Sequence, residues 1–145
     1  NSLISNNKNN IFLIETKADI LFSYGYINEA IRFYKKVLSH FPDNYYAQIR
    51  IFENTKIDKL SMIEKKILFK ENLNLLSKYY NNKNILQTYL ELSKLIKKNE
   101  WVNFLNFWLF KDNDIMEIQK NLKNFKKSSD KDLSNLVETI NNHYL

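Results

Sequence analysis

The sequence predicts an all-α protein, and three observations carry that prediction. Apolar residues recur every three or four positions along nearly all of the 145 residues, which is the spacing of one helix face. The chain holds one glycine, Gly25, and one proline, Pro42, so it lacks the turn residues that tight β-hairpins need. A hydrophobic content of 44%, with 14% aromatic residues, is ample for a packed core and argues against disorder.

We expect about eight helices, arranged as antiparallel hairpins. The first ends at Gly25, because a helix end favours a residue that adopts a left-handed conformation. Asn28 is the expected N-cap of the second helix, and Pro42 stops that helix and lies near the first position of the next. Ser129 or Asp130 is expected to cap the last helix. The predicted helices cover residues 10–24, 29–41, 45–54, 57–80 (continuous or broken), 85–96, 101–110, 115–125 and 130–144.

The net charge is +6 and comes almost entirely from lysine, since Arg32 and Arg50 are the only arginines. We interpret the lysines as a solvated surface, and the abundance of Lys, Asn, Ile and Tyr as the codon bias of an AT-rich genome. Nucleic-acid binding is disfavoured because phosphate contacts usually recruit arginine. No apolar run is long enough for a membrane span. Cysteine is absent, which removes disulfides and thiol chemistry.

The residues between Ile11 and Asn44 follow the order of a helical repeat of about 34 residues. A small residue, Ala18, stands on the first helix and Gly25 in the turn. Ala30 stands where the second helix approaches most closely, and Tyr34 follows it. Small side chains at such a crossing let two helices pack closely. The order of these residues with Pro42 resembles the tetratricopeptide repeat (TPR), and the five are the expected fold-defining residues.

Weaker echoes of this unit predict further hairpins over 45–80, 84–110 and 114–144. One of these echoes runs over residues 108–125, where Asn113 stands where Gly25 stands, Glu117 where Glu29 stands, and Ile118 replaces Ala30. The whole chain, 1–145, is therefore predicted as one TPR-like domain, a short right-handed solenoid. Because the chain begins at Asn1, we also expect it to be a fragment or a processed product.

The first unit also resembles the C-terminal TPR region of BepA/YfgC-like bacterial envelope zinc metalloproteases. The matching positions are Asn9–Asn10, Phe12, Glu15 to Ala18, Ile20–Leu21, Gly25 and Glu29 to Ile31. Ala18 departs from that family's usual glycine. The resemblance implies a TPR tail acting in envelope protein quality control in the periplasm. Its partners would be protein segments, with a protease domain in the same parent chain. A cytoplasmic location stays open.

No catalytic pattern is present in the chain itself. The H-E-x-x-H zinc motif of such proteases is missing, and the two histidines, His40 and His143, lie near predicted helix ends. The pairs Asp112 with Asp114 and Asp130 with Asp132 fall in polar turns, where we interpret them as helix caps. We therefore expect no catalytic residue, cofactor or metal in this chain.

The expected function is protein recognition on a concave surface lined by the first helix of each hairpin. The predicted protein-binding residues are Phe12, Glu15, Asp19, Phe22, Tyr46, Arg50 and Glu53. Two alternatives stay open: a stand-alone TPR-like scaffold or adaptor in a larger assembly, and, ranked last, an RNA-binding helical repeat.

The aromatic run from Trp101 to Phe110 has two interpretations. On a helix, its larger side chains share one face, with Phe107 and Phe110 toward the flank. The run is either a central core helix or an exposed patch that docks a partner. The residues on the shared face are Trp101, Phe104, Leu105, Trp108 and Leu109.

Overall fold

The computed structural model describes residues 2–144 of the backbone and the side chains of residues 10–143. The ends of the predicted domain, Asn1 and Leu145, and the side chain of Asn9 lie outside this part. The described residues form nine α-helices, one short 3-10 turn and no strand, so the predicted all-α class is confirmed. None of these helices combines the length and the apolar character needed to cross a bilayer.

The helices lie close to their predicted positions. The exceptions are the first helix, which begins at Ser2 and not near Asn10, and the predicted helix 57–80. That segment begins with a 3-10 turn, becomes α-helical only at Met62 and is broken at Asn72. In chain order the helices are α1 (Ser2–Ser23), α2 (Ile27–His40), α3 (Tyr45–Glu53), α4 (Met62–Glu71), α5 (Leu73–Lys78), α6 (Lys83–Leu95), α7 (Asn99–Leu109), α8 (Ile115–Phe125) and α9 (Lys131–Tyr144), with the 3-10 turn at Ile57–Lys59.

The chain divides into two compact units, residues 1–55 and 56–145. In the first, α2 packs against both α1 and α3; in the second, α6 packs on α7 and α8 on α9. The hairpins predicted over 84–110 and 114–144 correspond to these last two pairs. The hairpin predicted over 45–80 spans the boundary between the units. How the helices of that hairpin pack together stays a prediction. The single domain and the solenoid also stay predictions.

The core of the first unit is built around alanine. The chain contains three alanines, Ala18, Ala30 and Ala47, and all three have no exposed surface and lie in one cluster with Tyr34 and Val37. They come from α1, α2 and α3 respectively. Each helix therefore presents its smallest side chain to the shared core, as the steric argument for Ala18 and Ala30 predicts.

Two of the helix ends use the same backbone motif with different residues. After α1, the N–H groups of Gly25 and Tyr26 donate to the carbonyls of Phe22 and Leu21, and Gly25 has φ +85°. This is the Schellman arrangement. After α6, Lys97 and Lys98 donate to Lys94 and Ser93 in the same pattern.

In the second case a lysine occupies the left-handed position, since Lys97 has φ +59°. For a residue with a Cβ atom, the left-handed conformation costs roughly 1–2 kcal/mol of conformational free energy. Asn113, predicted to stand in for Gly25, is not among the described residues with positive φ. Its backbone conformation therefore differs from that of Gly25.

Two predicted helix starts in the first unit are wrong. Helix α2 begins at Ile27, with Tyr26 and not Asn28 at the N-cap. Helix α3 is capped by Asn44, whose side chain accepts from the Ala47 N–H, so Pro42 lies before the cap and not in the first turn. Pro42 instead follows the end of α2, where it prevents the helix from continuing.

The second unit is held by aromatic rings. Phe69 contacts Trp101 and Tyr89 edge-on, with ring centroids 4.9 and 5.1 Å apart. Trp101, Phe104, Leu105 and Trp108 are fully buried, so the aromatic helix is core along this face. Leu109 is half-buried and Phe110 is 74% exposed, which leaves one end of α7 uncovered.

The polar atoms of these rings all find partners, as buried polar groups must. Tyr89 donates to the Phe69 carbonyl at 2.7 Å and Trp108 Nε1 to the Tyr80 carbonyl at 2.6 Å. Trp101 Nε1 donates to Asp130 Oδ2 at 3.1 Å. The other oxygen of Asp130 accepts from the N–H groups of Asp132 and Leu133, which confirms Asp130 as the cap of the last helix.

The two matching helix ends give a test of backbone strain. Replacing Lys97 by Gly should raise the free energy of unfolding by about 1 kcal/mol, because glycine adopts positive φ without steric cost. Gly25→Ala should lower it by a similar amount, about 1 kcal/mol, through strain alone, since no described atom lies within 4 Å of an added Cβ. Chemical denaturation measures both.

The matched control is Lys94→Gly, three residues earlier on an exposed, right-handed stretch of α6. At that position glycine should lower the free energy of unfolding by about 1 kcal/mol. The effect of a Lys→Gly substitution therefore changes sign with the φ angle of the residue. If Lys97→Gly destabilised the protein as Lys94→Gly does, the assignment of the left-handed position would be wrong.

Candidate interaction face on the first and third helices

The structure places the seven predicted binding residues on two helices of the first unit and brings four of them, Asp19, Phe22, Tyr46 and Arg50, into contact with one another. The contacts join α1 to α3 and are side chain to side chain. Helix α1 carries Phe12, Glu15, Asp19 and Phe22, and helix α3 carries Tyr46, Arg50 and Glu53.

Asp19 is the acceptor at the centre of this face. Its Oδ1 atom accepts from the hydroxyl of Tyr46 at 2.8 Å and from the hydroxyl of Tyr34 on α2. Tyr34 is fully buried, and its ring meets that of Tyr46 edge-on at 6.0 Å between centroids. One carboxylate therefore ties all three helices of the unit together.

Arg50 continues the network from Tyr46. Its Nη2 and Nε atoms lie 3.2 and 3.4 Å from the Tyr46 hydroxyl oxygen, to which they donate. The guanidinium also lies 4.2 Å from the centroid of the Phe22 ring, a distance at which a cation and an aromatic face attract. The bond to Tyr46 raises the pKa of Arg50, although partial burial opposes the shift.

A separate contact closes the other end of the face. Asn44 donates from Nδ2 to Glu15 Oε2 at 3.1 Å while its Oδ1 caps α3 through the Ala47 N–H. The same amide thus starts α3 and fixes it against α1. Because Asn44 is half-buried, this pair is only partly screened by water.

These contacts advance along both helices in the same direction. Positions 15, 19 and 22 of α1 meet positions 44, 46 and 50 in order. Helices α1 and α3 therefore run parallel, each packed on α2. We call the side formed by Glu15, Asp19, Phe22, Tyr46 and Arg50 the α1–α3 face.

Two predicted residues stand apart from the network. Among the described residues, no hydrogen bond or ring contact joins Phe12 or Glu53 to the α1–α3 face. Phe12 is 70% exposed on the helix turn before Glu15, so it lies at the edge of the face with its ring in water. Glu53 is half-buried at the last turn of α3.

Two members of the network escaped the sequence analysis as site residues. The sequence analysis gives Tyr34 only as a fold-defining residue. A buried hydroxyl requires a partner, however, and that requirement points to a nearby carboxylate such as Asp19. Asn44 directly follows Pro42 and Asp43 and precedes an apolar run, which is a cap signal. Its second contact, to Glu15, has no signal in the sequence.

The chemistry of the α1–α3 face is that of hydrogen bonding and stacking. Burial, and then the bond to Asp19, hold the pKa of Tyr34 well above its ordinary value, so this hydroxyl stays a donor. In the described part of the chain no three acidic or histidine side chains converge as metal ligands do. The expectations of no catalytic residue, cofactor or metal stay predictions.

No family model, curated protein or solved structure matches this chain. The relationship to TPR proteins and to the envelope metalloproteases therefore stays a prediction from the residues named above.

The raised pKa of Tyr34 predicts a loss of stability at alkaline pH. Below about pH 10 the folded and unfolded states both hold the phenol proton. Above it the unfolded state releases the proton first, so the free energy of unfolding falls as pH rises, by up to about 1.4 kcal/mol per pH unit for one group. Tyr34→Phe should remove this fall, measured by urea unfolding between about pH 9 and pH 12.

The exposed Tyr24 provides the control, because Tyr24→Phe should leave the pH profile unchanged. Tyr89 is also buried with a raised pKa, so Tyr34→Phe removes only part of the total fall. A Tyr34→Phe profile that superimposes on that of the unsubstituted protein would contradict the assigned burial and bonding of Tyr34.

Proposed function

We propose that this chain is a non-catalytic protein-interaction module and that the α1–α3 face binds a segment of a partner protein. The observation that carries the proposal is the position of Arg50. Its guanidinium is held against Phe22 and bonded to Tyr46, which is itself bonded to Asp19. A charged group fixed in this way loses little side-chain entropy when it binds.

The composition of the face favours a protein partner. Arginine and tyrosine are enriched among the residues that carry most of the binding energy at protein interfaces. Here they share a face with the carboxylate of Glu15, and the exposed ring of Phe12 lies at its edge. A nucleic acid would favour several cations on one side, whereas this face holds one arginine and two acids. A protein segment with both polar and apolar side chains can bond to the charged groups of this face and pack on its rings.

The resemblance of the first unit supports a finer proposal. On that basis the chain is the TPR tail of a periplasmic zinc metalloprotease, and the segments it binds belong to envelope proteins under quality control. The alternative is a stand-alone TPR-like scaffold. The full reading frame separates the two: an H-E-x-x-H motif upstream of Asn1 supports the tail, and a frame without a protease domain supports the scaffold.

Selection from a random peptide library displayed on phage tests the interaction function. The selected peptides should bind the full chain with micromolar affinity, and the strongest amide shifts in NMR spectra should fall on α1 and α3. Phe12→Ser should weaken binding about five-fold or more, because it removes an exposed aromatic ring from the edge of the face.

Leu13→Ser is the matched control. Leu13 is 61% exposed but lies about 100° around the helix from Phe12, so its loss should change the affinity less than about two-fold. Equal effects of the two substitutions would overturn the assigned face. Failure to select any peptide, together with saturable RNA binding at about 150 mM salt, would overturn the function.

A further inference from the structure

The second unit contains an open groove with a mixed acidic and apolar lining. The groove has a volume of about 510 Å³ and lies between α7 and α8, next to the connection that joins them. Phe107, Phe110 and Ile118 contribute apolar surface, and Asp112, Asp114 and Glu117 contribute carboxylates. We call it the α7–α8 groove.

The groove is bordered by apolar side chains that are largely exposed to solvent. Phe110 is 74% exposed, and Ile115 and Met116, at the start of α8 but outside the lining of the groove, are 59% and 81% exposed. Phe107 is half-buried against the ring of Phe125, at 5.6 Å between centroids. Aromatic and methionine side chains left in water around a groove mark a surface on which another molecule packs.

The acidic side is not neutralised by the protein. Asp114 accepts from the Glu117 N–H as the cap of α8, and Glu117 accepts from Asn121. In the described part of the chain, the recorded ion pairs are Lys70 with Asp132 and Lys98 with Asp130, so these three carboxylates have no cation within 4.0 Å. Three carboxylates and one lysine therefore line this groove, which carries an excess of negative charge on a protein of net charge +6.

One lysine, Lys111, also lines the groove, but its ammonium group is bonded to the end of α7. Lys111 donates to the Trp108 carbonyl at 3.0 Å and lies 3.8 Å from the centroid of the Trp108 ring. Burial, and then repulsion from Lys83, lower its pKa. Lys111 is thus held against the end of α7 and forms no ion pair with the three carboxylates, which can still pair with a cation of a ligand.

The charge and the lining select one occupant. The three carboxylates do not converge as a metal-ion site requires, so the complementary cation is an ammonium or guanidinium group. The exposed ring of Phe110 beside them requires an apolar side chain in the same ligand. We propose that the α7–α8 groove docks a protein segment in which lysine or arginine flanks a bulky apolar residue.

This inference stands apart from the α1–α3 face, because the groove lies in the other unit and is tested with its own substitutions. Three labelled peptides of equal length serve as probes: one of lysine and phenylalanine, one of glutamate and phenylalanine, and one of lysine and serine. Fluorescence anisotropy with the full chain at about 150 mM salt gives the affinities. The lysine–phenylalanine peptide should bind about ten-fold more tightly than either of the others.

Substitutions in the groove separate the apolar from the electrostatic contribution to peptide binding. Phe110→Ser and the pair Asp112→Asn with Glu117→Gln should each weaken binding of the lysine–phenylalanine peptide about five-fold or more. Amide NMR shifts should cluster at Asn106, Phe110 and Asn121. Asp112 and Phe110 lie on the exposed connection, so these variants should keep the far-ultraviolet circular dichroism of the unsubstituted protein.

The controls match residue type and exposure. Tyr24→Ser removes an aromatic ring that is 78% exposed in the first unit, and Glu71→Gln with Glu91→Gln removes two exposed acids of the second unit. Both should leave the affinity within about two-fold. Equal binding of the three peptides, shifts on α1 and α3, or self-association of the free chain that Phe110→Ser abolishes would each overturn the proposed occupant.

Discussion

The first unit depends on one steric constraint, the close approach of three helices at alanine. Ala18, Ala30 and Ala47 are the chain's three alanines, and each is fully buried in the same cluster. A larger side chain at such a crossing would separate the helices or force unfavourable rotamers, at roughly 1–3 kcal/mol. Since the polar contacts between α1 and α3 extend over hydrogen-bond distances of about 3 Å, they form only if this approach is kept.

The α1–α3 face is a direct consequence of that packing. Tyr34 reaches Asp19 from within the core, and Tyr46 reaches the same oxygen from α3. Arg50 is then positioned by Tyr46 and Phe22. The second unit solves the same problem in a different way, with large rings in place of small residues. There Phe69, Tyr89 and Trp101 fill the space between helices, and the carbonyls and Asp130 satisfy their polar atoms.

The sequence predicted the helices and much of the α1–α3 face because both follow from periodicity. Residues four apart share a side of a helix, so the sequence places Glu15 beside Asp19, and Tyr46 beside Arg50. The left-handed Lys97 could not be predicted, since lysine carries no preference for positive φ. The groove between α7 and α8 was also missed. Its residues come from two helices and a connection, and Asp112 and Asp114 alone have the pattern of helix caps.

Substitution of Ala30 tests the central constraint most directly. Ala30→Leu should lower the protection of α1, α2 and α3 against hydrogen exchange by about ten-fold or more, equivalent to at least about 1.4 kcal/mol of local stability. Arg32→Leu adds a leucine on the exposed side of the same helix and should leave protection nearly unchanged. Equal protection in the Ala30→Leu and Arg32→Leu proteins would contradict the claim that close helix approach at alanine organises the first unit.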